Sequence, residues 1–197
     1  MGTPSLVCRS LLIAVIAGTA AVAAVTVNAA PIDVQRSKLT VLVYKAGLFS
    51  ALADNHVLNA PIASGTIATT PTPTIELVVN AAELVPLDPD LDQSKRAEVR
   101  TRMLGAEVLD TSRFPTITFV STAIEAAGSD QWKVSGSLTI HGVTKTVTFP
   151  VARSDGRYRG ETRVRQTDFG IKPIRIAGGT VSVKDELKIE FDIVEAK

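Results

Sequence analysis

His56 and His141 are the only two histidines in this 197-residue chain, so imidazole chemistry has few places to occur. A neutral imidazole can ligate a metal, act as a general base or bond to a ligand. As a metal pair these two fall short, because a zinc site takes at least three protein ligands and their spacing signals no known site. His56 ends the run Ala53-Asp54-Asn55-His56, which puts the Asp54 carboxylate beside an imidazole, a pair adequate for acid/base work. Residues two apart on a loop are often close for no catalytic reason, and a capping or surface role for His56 stands beside the functional one. His141 belongs to His141-Gly142, a polar pair of the kind that reverses a chain, where exposure is expected.

Other motifs carry less. Asp88, Asp90 and Asp92 alternate like the start of a calcium loop, but the glycine and distal glutamate of that loop are missing. Asp168-Phe169-Gly170 copies a kinase motif by letters only, with none of its companion segments. The chain has no GxSxG, HExxH or phosphate-loop pattern. Lys95, Arg96, Arg100 and Arg102 form one basic group, and Arg159, Arg163 and Arg165 another. Guanidinium pairs bidentately with phosphate, so Arg96 and Arg100 are candidates to meet an anionic head group or a membrane surface. A solvated face is the simpler account of either group. The sequence therefore assigns no catalytic residue, no metal and no cofactor.

The elements that must position these residues are mostly strands. Leu138 to Val151 organises the chain: Val134, Gly136, Leu138 and Ile140 alternate with polar residues, then His141-Gly142, then Val147, Phe149 and Val151 alternate again. Successive strand side chains face opposite ways, so this is a β-hairpin with one apolar and one Thr/Ser-rich face. Further strands are expected at Leu39 to Tyr44, in Ala60 to Thr70, around Ile75 to Val79, around Ile117 and Phe119, from Tyr158 to Val164, and from Val181 to Ile193. Leu48, Phe49 and Leu52 sit at roughly helical spacing in a short turn or loop. Ser94 to Leu104, capped by Ser94 or Asp92 and stopped by Gly105, is the best helix candidate. Antiparallel strands with one wet face favour a sandwich or a closed barrel. About eight strands and one or two short helices give an all-β antiparallel barrel whose interior is filled or holds one small ligand.

Residues 1–29 stand apart. Arg9 is the only charged side chain before Asp33, Leu11 to Val27 is apolar or small, and Val27-Asn28-Ala29 resembles a cleavage site. We read a signal peptide over 1–29, with a retained anchor as the alternative, and a single domain over 30–197. Cys8 would leave with the signal, so the core would carry stability without a disulfide. Losing Arg9 from the 21 basic residues leaves 20 against 20 acidic ones, a balance that argues against nucleic acid.

Four segments together resemble the YceI-like, polyisoprenoid-binding family: Leu109 to Thr122, Gly136 to Phe149, Thr167 to Pro173 followed by Gly179 to Leu187, and Leu39 to His56. The resemblance implies an exported, eight-stranded antiparallel barrel of lipocalin-like shape, with helical segments near the mouth of a long apolar tunnel. It implies a polyisoprenoid or similar long-chain amphiphile as partner, such as an isoprenoid quinone, a polyprenyl phosphate or a fatty amide. It also implies transport or storage of that lipid, links to stress responses, a bacterial periplasmic or secreted location, and no shared catalytic set. Ala53-Asp54-Asn55-His56 departs from the Gly-His-Asp-His-like run of many relatives, which weakens any metal or acid/base role there.

Candidate lining residues are Leu42, Phe49, Leu52, His56, Leu104, Leu109, Phe114, Phe119, Phe169 and Ile171, each of which could equally be ordinary core. An enzyme acting on such a lipid through His56 and Asp54, or a barrel with a filled structural core, are the alternatives. Transient membrane contact and a homodimer stay open.

Overall fold

The computed structural model describes residues 29–46, 55–70, 72–176 and 181–196, and within them the chain is almost wholly antiparallel sheet. Twelve strands are present among the described residues: β1 (Ala29–Pro31), β2 (Lys38–Ala46), β3 (His56–Asn59), β4 (Ile62–Ala68), β5 (Thr74–Asn80), β6 (Val85–Pro86), β7 (Thr116–Gly128), β8 (Gln131–Ile140), β9 (Val143–Ser154), β10 (Arg157–Arg165), β11 (Arg175–Ile176) and β12 (Val181–Val194). Among the described residues there is one α-helix, α1, which spans Gln93–Leu104.

Long central strands follow the expected alternation, and tight turns fix their register. In β8–β9, Ile140 pairs with Val143 across His141 and Gly142, which both have positive φ, 51° and 73°. That is the backbone of the two-residue hairpin turn whose twist matches the flanking strands. Asp155 and Gly156 turn β9 into β10 in the same way.

Hydrogen bonds run β5–β7–β8–β9–β10–β12–β2–β3, and β4 adds to β5 from the other side. β3 and β4 are two arms of one strand, broken at Ala60-Pro61. One arm pairs with β2 and the other with β5. Counted as one, they bring the circuit to eight strands and curl the sheet around an interior. β1 caps β4, and an Ile32–Glu195 bridge ties that corner to the end of β12.

The circuit differs from an evenly closed barrel on one flank. β9 and β10 pair only through 151–154 and 157–160, then diverge. The short 3₁₀ turn Gln166–Phe169 packs against β9, β10 and β12 at this splay. Asp185 clamps it, accepting from the Thr167 backbone N–H at 2.9 Å and the Thr167 hydroxyl at 2.7 Å. Burial pushes the Asp185 carboxyl up, but these hydrogen bonds outweigh it and hold the group below its ordinary value.

Two glycines let neighbouring backbones and rings approach. A Cβ on Gly160 would collide with the Pro150 carbonyl oxygen and the Phe191 ring, and one on Gly136 with the Phe119 ring. Phe119, Phe149 and Phe191 form a row of rings across the interior, with centroids 5.4 and 5.5 Å apart. Gly160→Ala should therefore lower stability by about 1–3 kcal/mol through overpacking, read as a lower urea midpoint at unchanged m-value.

On the outer face, Asp192 joins β12 to β10, meeting Arg157 Nε at 2.6 Å and Arg159 Nε at 3.3 Å. Arg157 also donates to the Arg36 carbonyl, so the cluster reaches the turn before β2. Burial alone would raise the Asp192 carboxyl, but the two arginines hold it below its ordinary value. A depressed carboxylate contributes stability above its unfolded pKa of about 3.9 and loses it as pH falls through the folded value. Asp192→Asn is expected to cost roughly 1 kcal/mol at pH 7, and the gap to the parent should close below about pH 4 in pH-dependent unfolding.

Candidate functional site

The inward faces of the curled sheet enclose a cavity of about 820 Å³. Pleating decides which residues line it. Leu39, Val41 and Val43 of β2 face in, as do Val134, Leu138 and Ile140 of β8 and Leu187, Ile189 and Phe191 of β12. At one end the cavity meets Ile32, Trp132, Tyr158 and Ile193. The Tyr158 phenol donates to Glu195 Oε1 at 3.1 Å, and burial, then Glu195, push its pKa up, so it stays protonated at neutral pH.

The other end is polar-rimmed. α1 lies there and presents Lys95, Glu98, Val99, Arg102 and Met103, which recur at helical spacing on one face. Asp92 caps the helix by accepting from the Lys95 N–H at 2.8 Å. Lys45 and His56 line the cavity at the same end.

His56 is held by a residue far away in sequence. Its Nδ1 lies 2.9 Å from Asp88 Oδ2, and Asp88 Oδ1 accepts from the Val57 N–H at 2.8 Å. Asp88 is only 4% exposed. The β3–β6 ladder brings the two together: Leu58 pairs with Pro86, and Leu87 N–H donates to the Val57 carbonyl. Asp88 then continues that ladder with its side chain. Arg96 donates to the Asp88 carbonyl at 3.2 Å and fixes the segment from the helix side.

Of the residues singled out from sequence, His56, Leu109, Phe119, Phe169 and Ile171 line the cavity. Leu42 does not, because it sits between the inward Val41 and Val43 and pairs with Lys188 on the other face. Leu104 packs against the core beside the cavity rather than on its wall, and its carbonyl accepts from Thr111. Phe114, just before β7, packs onto the β8–β9 turn instead, edge-on to His141 at 4.6 Å and against Gly142. Phe49, Leu52 and Asp54 lie outside the described residues.

The head-group candidates Arg96 and Arg100 are also off the wall. Arg96 holds Asp88, and Arg100 ties α1 to the Leu84 and Ala82 carbonyls at 3.2 and 2.8 Å. Among the described residues the cations that reach the cavity are Lys45, Lys95 and Arg102. The second basic stripe forms cross-strand ion pairs, Arg159 with Asp192 and Arg163 with Glu186. Among the described residues no group of three or more His, Cys, Asp or Glu could hold a metal ion, and no helix is long and apolar enough to cross a membrane.

A lipocalin-like antiparallel β-barrel with an apolar interior and one polar rim is the class of protein these features define. The YceI-like domain model matches residues 13–195, and the chain belongs to that family. A UPF0312 protein of Pseudomonas putida strain W619 is 33% identical over 114 residues, covering 53% of this chain and 57% of that protein. A UPF0312 protein of Pseudomonas fluorescens is 36% identical over 114 residues, with the same coverage. The chain thus spans little more than half the length of these curated relatives. The crystal structure of Burkholderia cenocepacia BcnA superposes with a TM-score of 0.66 at 22% identity, over 84% of this chain and 99% of that one, which shows the shared fold.

Asp88→Ala removes both acceptors at once and leaves the Val57 N–H and the His56 ring without partners. Such orphaned groups cost about 1–3 kcal/mol, so thermal unfolding of this variant should show a clear loss of Tm, with Asp88→Asn losing less.

Proposed function

We propose that this protein is an exported carrier or store for a polyisoprenoid or similar long-chain amphiphile, with the tail in the barrel and the head at the α1 rim. The cavity carries the reading: about 820 Å³ walled by Leu, Val, Ile and Phe side chains, with the charged residues gathered at one end. At the ~30 Å³ that one molecule occupies in liquid water, taken as the size of a methylene group, it holds about five isoprene units. Burial contributes about 0.8 kcal/mol per methylene, so several units exceed what immobilising the chain costs. Tail length then governs affinity and the rim governs orientation. Family membership supports the same ligand class. The apolar segment within residues 1–29 supports export to the periplasm or beyond, with cleavage leaving the domain from residue 30 onward.

A second reading rests on the Asp88–His56 pair, since a carboxylate-oriented imidazole facing a cavity is also how a general base is built. No hydroxyl or thiol is hydrogen-bonded to that imidazole among the described residues.

Mass spectrometry of the organic extract from protein purified without detergent should find a long-chain amphiphile near one equivalent. An empty extract followed by failed reloading with any prenyl lipid would move the protein to the filled-barrel class. Val147→Trp, which places an indole in the lumen, is expected to cut lipid uptake at least tenfold while far-UV circular dichroism stays that of a folded barrel.

A further inference from the structure

We propose that the Asp88–His56 pair is a head-group site that selects amphiphiles ending in a hydroxyl donor, such as a prenyl alcohol, phenol or quinol, over heads that only accept hydrogen bonds. This rests on the lipid-carrier reading and adds the chemistry of the head.

The proton inventory at the pair dictates the selection. Asp88 accepts from the Val57 N–H through Oδ1 and faces His56 Nδ1 through Oδ2. An ionised carboxylate has no proton to give, so Nδ1 carries the hydrogen and donates it. In the neutral ring this leaves Nε2 as a bare acceptor. Nε2 has no hydrogen-bond partner among the described residues, and the ring lines the cavity at its polar end. The ring cannot turn away without losing Asp88, and Asp88 is fixed by Val57 and by Arg96 on its carbonyl. An orienting carboxylate behind an imidazole is the usual way to set which nitrogen faces a ligand. A tail threaded into the barrel delivers its head to this acceptor, and a hydroxyl satisfies it where an ether, ester or quinone carbonyl does not.

The rim also holds Lys45, Lys95 and Arg102, which would favour an anionic head instead. Glu98 shares their face of the rim, and Arg102 lies 3.9 Å from Glu107, so acidic groups offset part of this positive charge. The test separates the two chemistries.

Trp132, the single tryptophan, lines the cavity and reports tail binding by its fluorescence. Delipidated full-length protein is titrated with farnesol, farnesyl methyl ether and farnesyl phosphate, which share one tail. The expected result is about tenfold tighter binding of farnesol than of the ether, the worth of one hydrogen bond to a buried acceptor. His56→Phe should bring that ratio to within about twofold by weakening farnesol alone. Asp88→Asn supplies an independent check. With its oxygen on the Val57 N–H, the amide NH₂ faces Nδ1 and drives the ring proton to Nε2, which donates equally to an alcohol or an ether oxygen, so the preference for farnesol should be lost. Equal binding of farnesol and ether by the parent overturns the head-group site and leaves the carrier reading intact. Tenfold preference for the phosphate over farnesol, lost in Lys95→Gln/Arg102→Gln but kept in His56→Phe, overturns it in favour of the cations. Failure of the parent to bind any of the three overturns the carrier reading and the site together.

Discussion

The bend at Ala60-Pro61 is the constraint on which the rest of the structure depends. A flat antiparallel sheet would expose one apolar face or need a second layer to cover it. Here one strand pairs with β2 before the bend and with β5 after it, so the sheet covers its own apolar face. Proline suits the break, since it has no N–H to contribute to either ladder. Without this junction there would be no enclosed lumen, and the inward row of Leu, Val, Ile and Phe would face water.

Enclosure alone does not make a cavity, because eight strands can also be filled by their own side chains. Two features favour room over filling. The large rings lie against glycine: Phe119 over Gly136 and Phe191 over Gly160, where a methyl group would push them inward. The sheet also splays between β9 and β10, and the 166–169 turn fills the gap from the side, held there by Asp185 and by the Gln166 amide on the Lys184 carbonyl. Phe169, 2% exposed, anchors this segment and contributes to the wall.

The charged residues of the lining gather at one end for a topological reason. β2, β3 and α1 meet there, and the pairing of β3 with β6 carries Asp88 to His56. Most of the basic residues conspicuous in the sequence go to other work. Arg96 and Arg100 strap the helix to backbone carbonyls, while Arg159 and Arg163 brace β10 against β12 through Asp192 and Glu186. The positive charge that reaches the lumen comes from a different face of the same helix, at Lys95 and Arg102, and from Lys45 on β2.

Local patterns determined a good deal. Period-two alternation in 134–140, 158–164 and 187–193 set both the strands and their inward faces, because a pleated backbone sends alternate side chains to opposite sides. His141-Gly142 and Asp155-Gly156 set the hairpins, since few residues tolerate the left-handed backbone those turns require. Gly105 marked the end of α1, and of the two caps open in the sequence, Ser94 and Asp92, it is Asp92 that caps a helix beginning at Gln93. Where the alternation was absent, sequence misled: LTVLVY is apolar at nearly every position, so nothing local said that Leu42 faces outward and Val41 and Val43 inward. β6, only two residues long, left no periodicity to read. The partner of His56 was the plainest case. No local pattern pointed to Asp88, 32 positions away, because only the β3–β6 pairing could bring that carboxylate into hydrogen-bonding distance, while Asp54 lies outside the described residues. Alternation and turn chemistry are local, so the chain could state its strands. Which side chains share a wall or a proton depends on long-range register, and that was decided by the tertiary structure.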